Sequence, residues 1–356
     1  MDQNRQDIAI VPAREIAKTL VALAALLVWA AVELFAARPA HSDGVELLNV
    51  SYDPTRELYK DVGEQFAAHY TAKSGGEVVI KESHGGSSAQ ARAVIDGLPA
   101  DVLTLAMWPD TDAVRKSGLI SSGWESRLPN NSVPYTSTVV FLVRTGNPKG
   151  IRDWPDLAKP GVEIITPNPK TSGNGKLSLF AIWGSVTQRG GGEAEALALA
   201  TEIYKQAPVL DTGARGSTTT FVQKQIGDVL LTWENEAHLA VDESPGKLEI
   251  VYPPISVLAD PPVTVVDAVA SRRGTREIAD DYLNFLYTPQ GQEIAAKHYF
   301  RPIDPQVAAK YKANFPEIKL FPVTAISQNG WKDVYDKFFL PGKIYDQITA
   351  QVAASK

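Results

Sequence analysis

Short apolar, β-branched runs alternate with longer helical patterns along most of this chain, and that alternation constrains the fold more than any other feature. The runs predict strands at Glu46–Ser51, Val78–Glu82, Asp101–Ala106, Thr136–Arg144, Val162–Thr166, Asp228–Thr232, Glu249–Tyr252 and Val263–Val269. Helical stretches such as Pro54–Tyr70, Gln90–Gly97, Leu177–Val186, Glu193–Gln206 and Thr218–Gln225 lie between them. Strand–helix alternation of this kind specifies α/β architecture with largely parallel sheets. The first helix carries a start signal, with Asp53 as N-cap, Pro54 at the first helical position and Glu57 in the first turn. The C-terminal third is mostly helical, over Thr275–Tyr287 and Pro289–His298, and no internal repeat is visible.

Two segments read as crossings between lobes. Tyr135–Arg144 is a long apolar strand after the loop LPNNSVP, and Pro253–Val269 is extended and proline-rich. Two crossings let a middle segment form one lobe while both ends of the chain build the other. The expected division is residues 43–134 with 256–356 as lobe one and 135–255 as lobe two. Two open, mostly parallel sheets joined by a hinge then leave a ligand cleft between them.

The first 42 residues read as an address. A polar segment with Arg5, Arg14 and Lys18 precedes the uncharged run Thr19–Val32, and Ala40-His41-Ser42 supplies a small-residue site. This is the pattern of a secretory signal peptide cleaved after Ser42. The apolar run is shorter than the roughly 20 residues of a spanning helix, although extending it to Ala37 across Glu33 makes an uncleaved anchor the alternative. Removing residues 1–42 deletes Arg5, Arg14, Lys18 and Arg38 with Asp2, Asp7, Glu15 and Glu33, so the formal charge stays at −6. That acidity argues against a nucleic-acid or anionic-membrane surface. The chain has no cysteine, which excludes disulfides, thiolate metal sites and a cysteine nucleophile.

Three loops share one physical design. His84-Gly85-Gly86-Ser87-Ser88, Lys170-Thr171-Ser172-Gly173-Asn174-Gly175 and Asp211-Thr212-Gly213-Ala214-Arg215-Gly216-Ser217 each lead into a helix. Unpaired amides and the helix dipole favour an anion at such a position. Glycine lets the backbone approach, and Ser or Thr adds a hydroxyl donor. Helix capping alone would explain any one of them; three in one chain point to convergent backbone donors. None completes a nucleotide motif: Gly175-Lys176 is followed by Leu177, and no G-x-G-x-x-G follows a strand. His84-Gly85-Gly86 is faintly like a lipase oxyanion loop, yet no G-x-S-x-G elbow provides a nucleophile. The five histidines are scattered without metal-ligand spacing, so no metal, cofactor or catalytic residue is expected. Trp233 ends the run DVLLTW, at the strand edge where ligands of open α/β sheets bind. It reads equally as an indole donor or as a core residue.

The blocks Leu48–Leu58 (LNVSYDPTREL), Ser83–Ser87 (SHGGS), Gln90–Leu98, Pro134–Arg144, Lys159–Lys170, Leu210–Val222 (LDTGARGSTTTFV), Ile226–Ala237 (IGDVLLTWENEA) and Gly291–Lys297 resemble the bacterial periplasmic sulfate-binding proteins. The resemblance implies a two-lobed periplasmic binding protein of type II topology that closes on its ligand by a hinge. It implies a non-enzymatic monomeric receptor that hands sulfate to the permease and ATPase subunits of an ABC importer, with thiosulfate, or both anions, as the alternative. Carried over by motif, the ligand contacts are the Ser87 hydroxyl, the Ser172 hydroxyl and amide, the amides of Gly173, Asn174 and Ala214, and the Trp233 indole. Asp53, His84 and Arg215 would support the loops. Ser88 and Asn174 stand where the family commonly has glycine, which puts ligand preference in question. A site made of donors suits a fully ionised dianion, because a hydrogenphosphate proton would be buried without an acceptor, at about 1–3 kcal/mol.

Overall fold

The computed structural model describes residues 44–327 and 329–355. The expected signal peptide and its alternative anchor lie outside these residues. In chain order the strands are β1 (Val45–Tyr52), β2 (Val78–Gly85), β3 (Val102–Thr104), β4 (Tyr135–Arg144), β5 (Ile164–Pro167), β6 (Val209–Asp211), β7 (Val229–Trp233), β8 (Leu248–Val251), β9 (Ile255–Ala259), β10 (Val263–Val265), β11 (Arg301–Pro302) and β12 (Lys319–Pro322).

They form two sheets. The first has the order β10-β3-β1-β2 and the second β12-β9-β4-β7-β5-β6, with β8 and β11 also paired to β4. The first sheet is mostly parallel, with only β10 reversed against β3. The second is mixed, which corrects the expectation of two mostly parallel sheets: β4 runs antiparallel to β7, β8, β9 and β11 alike. Its run Val139–Val143 is buried on both faces, so its apolar pattern announced a central strand but not a direction. The architecture is the two-lobed α/β fold of type II binding proteins.

The chain passes from β9 in the second sheet to β10 in the first across Asp260-Pro261-Pro262, within the expected extended crossing. The apolar pattern of Val263–Val269 overruns its strand, which stops at Val265 before the helix Asp267–Arg273. The expected placement of 256–356 wholly in lobe one is corrected by the C-terminal segment. Strand β12 pairs with β9, and the helices Gly330–Phe339 and Ile344–Ala354 pack onto the second lobe. Phe338 meets Phe180 and Trp183 edge-on, each with ring centroids 5.0 Å apart, and Tyr345 meets Tyr204. The cause lies in the helix Gly173–Thr187, which is buried from Gly173 through Ser185. A helix apolar all round needs cover on more than its sheet face, and the C-terminal segment supplies it. Residues Tyr282 and Phe285, by contrast, pack on Phe66 of the helix Arg56–Ser74 beside the first sheet.

Candidate functional site

The three Gly/Ser/Thr loops meet where the lobes touch. Gly86 lies so close to the second lobe that a Cβ there would stand 2.5 Å from the Thr171 carbonyl oxygen and 2.9 Å from that of Thr212. A Cβ on Gly173 would stand 2.5 Å from the Ala106 Cβ and 3.3 Å from the Ser87 Cβ. Only glycine permits these approaches. Asp53 of the first lobe abuts Gly213, and the Thr171 hydroxyl ties its own loop to the Thr212 carbonyl at 2.8 Å.

Each loop starts a helix with unpaired amides. Ser172 is the N-cap of Gly173–Thr187, in extended conformation, and its Oγ accepts from the Gly175 amide at 3.4 Å. The Ser172 amide itself is spent on the Asn168 carbonyl at 2.9 Å, so of the two expected Ser172 donors only the hydroxyl is left. Asn174 is a second-position helical residue with negative φ, so its place asks nothing of glycine's backbone freedom. In the third loop the Asp211 carboxylate accepts from the Ser217 and Thr220 hydroxyls at 3.2 and 3.1 Å. The expected helix over Thr218–Gln225 is displaced accordingly: it opens at Ala214 and widens into a π turn over Thr219–Gln223. Among the described residues the amides of Ser87, Gly173, Asn174 and Ala214 have no partner.

Ser87 departs from its expected role at the hydroxyl. It is buried, donates to Asp110 Oδ2 at 2.7 Å and accepts from the Ala106 amide at 3.1 Å. What Ser87 offers outward is its amide. Trp233 ends β7 fully buried, its ring 5.0 Å from that of Tyr52, and its Nε1 has no partner. An orphaned buried donor is costly; the Nε1 atoms of Trp124 and Trp183 share that state, and what sets Trp233 apart is its place at the end of β7.

The three residues expected to support the loops make the following contacts. Asp53 opens a 3₁₀ turn, Asp53–Thr55, ahead of the helix Arg56–Ser74. It is no helix N-cap; its carboxylate accepts from Arg56 at 2.9 Å. His84 spans Tyr52 O (3.2 Å) and Glu82 Oε2 (3.0 Å), holding β2 to β1 beneath the loop. Arg215 forms a bidentate pair with Glu57 of the first lobe (3.1 and 3.0 Å) and reaches Glu236 at 2.8 Å. Burial works against its charge, yet the two carboxylates outweigh it and hold the guanidinium above its ordinary range. Burial lifts the Glu236 carboxyl above the usual carboxylate range despite Arg215. Arg215 is therefore committed to carboxylates of both lobes and acts as a clasp. A second clasp is Asn235 Nδ2 on the Pro54 carbonyl, 2.8 Å.

The sequence reading missed Lys176 and Asp110. Both are buried, and Lys176 Nζ donates to Asp110 Oδ1 at 2.9 Å and to the Ser88 hydroxyl. Ser88 also donates to Asp110, at 2.9 Å. The signal was present: Lys176 is the only charge in the helix GNGKLSLFAIWGSVT, and a lone charge on a buried helix demands a partner. Because the pair is internally neutral, it leaves no uncompensated charge beside the unpaired amides of the three loops, and such amides suit a small anion. Among the described residues no group of three or more metal-ligating side chains occurs, and no helix is long and apolar enough to cross a membrane.

Residues 47–301 match the family model of bacterial extracellular solute-binding proteins. A sulfate-binding protein of Escherichia coli is 51% identical over 318 residues, 89% of this chain and 96% of the relative. A thiosulfate-binding protein of Pseudomonas aeruginosa is 49% identical over 304 residues, 85% and 91% of the two chains. Among solved structures, the sulfate-binding protein SubI of Mycobacterium tuberculosis superposes with a TM-score of 0.75 at 32% identity, covering 83% of this chain and 100% of that one. With the same fold and nearly full-length similarity, the chain belongs to the bacterial extracellular solute-binding proteins and, within them, to the sulfate- and thiosulfate-binding family.

Proposed function

We propose that this chain is an exported, periplasmic receptor that binds sulfate between its lobes and delivers it to the permease and ATPase subunits of an ABC importer. The observation that carries the reading is the convergence of three helix starts with unpaired amides where the lobes touch, with the unpartnered Trp233 Nε1 at the end of β7 in support. The contacts in this reading are the Ser172 hydroxyl, the amides of Ser87, Gly173, Asn174 and Ala214, and the Trp233 indole. Asp53, His84 and Arg215 hold the loops, and the Arg215–Glu57 clasp favours the closed arrangement. The chain acts as a monomeric binding protein with no catalytic step. Its formal charge of −6 does not oppose this, since net charge governs long-range encounter and solubility while oriented dipoles govern a desolvated pocket.

Isothermal titration with sulfate is expected to give one site per chain with a micromolar dissociation constant and weaker phosphate binding; a flat sulfate titration overturns the reading. Trp233→Phe keeps the packing on Tyr52 and removes one donor. A hydrogen bond to a charged group contributes about 1.5–3 kcal/mol, so affinity should fall by about ten- to a hundredfold with little change in Tm. An unchanged affinity would return Trp233 to a packing role.

Thiosulfate is the second reading, supported by a relative of that name at 49% identity beside one named for sulfate at 51%. Competition between the two anions separates sulfate preference from dual use.

A further inference from the structure

Asn174 has a side chain whose two ends are treated differently. It is 2% exposed, and its Nδ2 donates to the Leu231 carbonyl at 3.0 Å. Its Oδ1 is shielded from solvent and has no partner. A buried acceptor left without a donor is costly, and turning the amide over would set Oδ1 against the Leu231 carbonyl, acceptor to acceptor. Asn174 is the second residue of its helix, in the first turn, whose Gly173 and Asn174 amides are unpaired. Leu231 stands two residues before Trp233, whose Nε1 also lacks a partner. The unpaired acceptor thus belongs to the helix turn that carries two unpaired amides, on a side chain anchored to the strand that ends in Trp233.

We propose that Asn174 sets specificity by giving a site of donors one fixed acceptor, Oδ1, which takes the hydroxyl of a protonated tetrahedral oxyanion such as hydrogenphosphate or hydrogenarsenate. The inference rests on the anion site described under Proposed function. A fully ionised dianion meets this oxygen as acceptor against acceptor, whereas a dianion that still carries a proton finds a partner. This chain therefore separates sulfate from phosphate less sharply than a pocket of donors alone.

The test compares the purified protein with Asn174→Gly and Asn174→Ala, each titrated with sulfate, selenate and inorganic phosphate at about pH 8, where phosphate is mostly the hydrogenphosphate dianion. In both variants the ratio of phosphate to sulfate affinity is expected to fall about tenfold, the scale of one buried hydrogen bond. The ratio of selenate to sulfate, which differ in size but not in protonation, should stay constant. A phosphate ratio that stays constant, or a selenate ratio that falls with it, makes Asn174 a matter of size or packing and overturns the proposal. If the wild-type protein binds no sulfate, the reading of the site itself fails, which is a separate result from an unmoved ratio in a sulfate-binding protein.

Discussion

Ser172→Asp is expected to abolish sulfate binding while leaving the protein folded. The position caps the helix Gly173–Thr187 in extended conformation, with φ −118° and ψ 131°, and aspartate caps helices as well as serine does. Its carboxylate can take the Gly175 amide that Ser172 Oγ accepts now, so Tm should move little. The hydroxyl that donates to the anion in the proposed reading is replaced by a fixed negative charge. Two unit charges about 4 Å apart repel by about 4 kcal/mol at an effective dielectric of 20, and a dianion doubles the term. The loss should exceed a thousandfold in titration calorimetry. Ser172→Ala, which removes a hydroxyl and adds no charge, should weaken binding far less. A Ser172→Asp protein that binds sulfate normally would place the anion elsewhere.

The fold and the loops were legible to different depths. Short apolar, β-branched runs and helical patterns located the elements they named to within a few residues, because burial and local propensity act over a few neighbouring residues. The direction of β4 is not local. Its near-continuous apolar run is equally compatible with parallel and antiparallel neighbours, and only its pairing with β7, β8, β9 and β11 decides. The return of β12 and the helices Gly330–Phe339 and Ile344–Ala354 to the second lobe was hidden for a similar reason, since Phe338 and Tyr345 follow ordinary amphipathic patterns that do not say which helix they meet. The glycines and small polar residues marked all three loops that meet between the lobes. Which donors remain free could not be read from them, because the Ser87 hydroxyl is claimed by Asp110 and the Ser172 amide by Asn168. Both claims are set by how a segment folds back in three dimensions.

The Lys176–Asp110 pair should show the second large effect, through closure and not through contact with the anion. Asp110 lies in the first lobe, on the helix Trp108–Lys116, and Lys176 in the second, so their bond exists only while the lobes are together. In an open arrangement water solvates each charge. Asp110→Leu leaves the ammonium buried and uncompensated on closing, which costs about 3–5 kcal/mol. Ligand affinity is diluted by the fraction of molecules able to close, so sulfate binding should weaken by two to three orders of magnitude, while the Tm of the ligand-free protein changes less. The double variant Asp110→Leu with Lys176→Met replaces the pair by apolar side chains, and such exchanges are often close to neutral. It should recover most of the affinity, with a residual deficit because the Ser87 and Ser88 hydroxyls lose their acceptor. Recovery would separate the pair from any attraction of Lys176 for the anion, since the rescued protein has lost that cation altogether. A double variant as weak as Asp110→Leu alone would mean that Lys176 acts on the ligand directly.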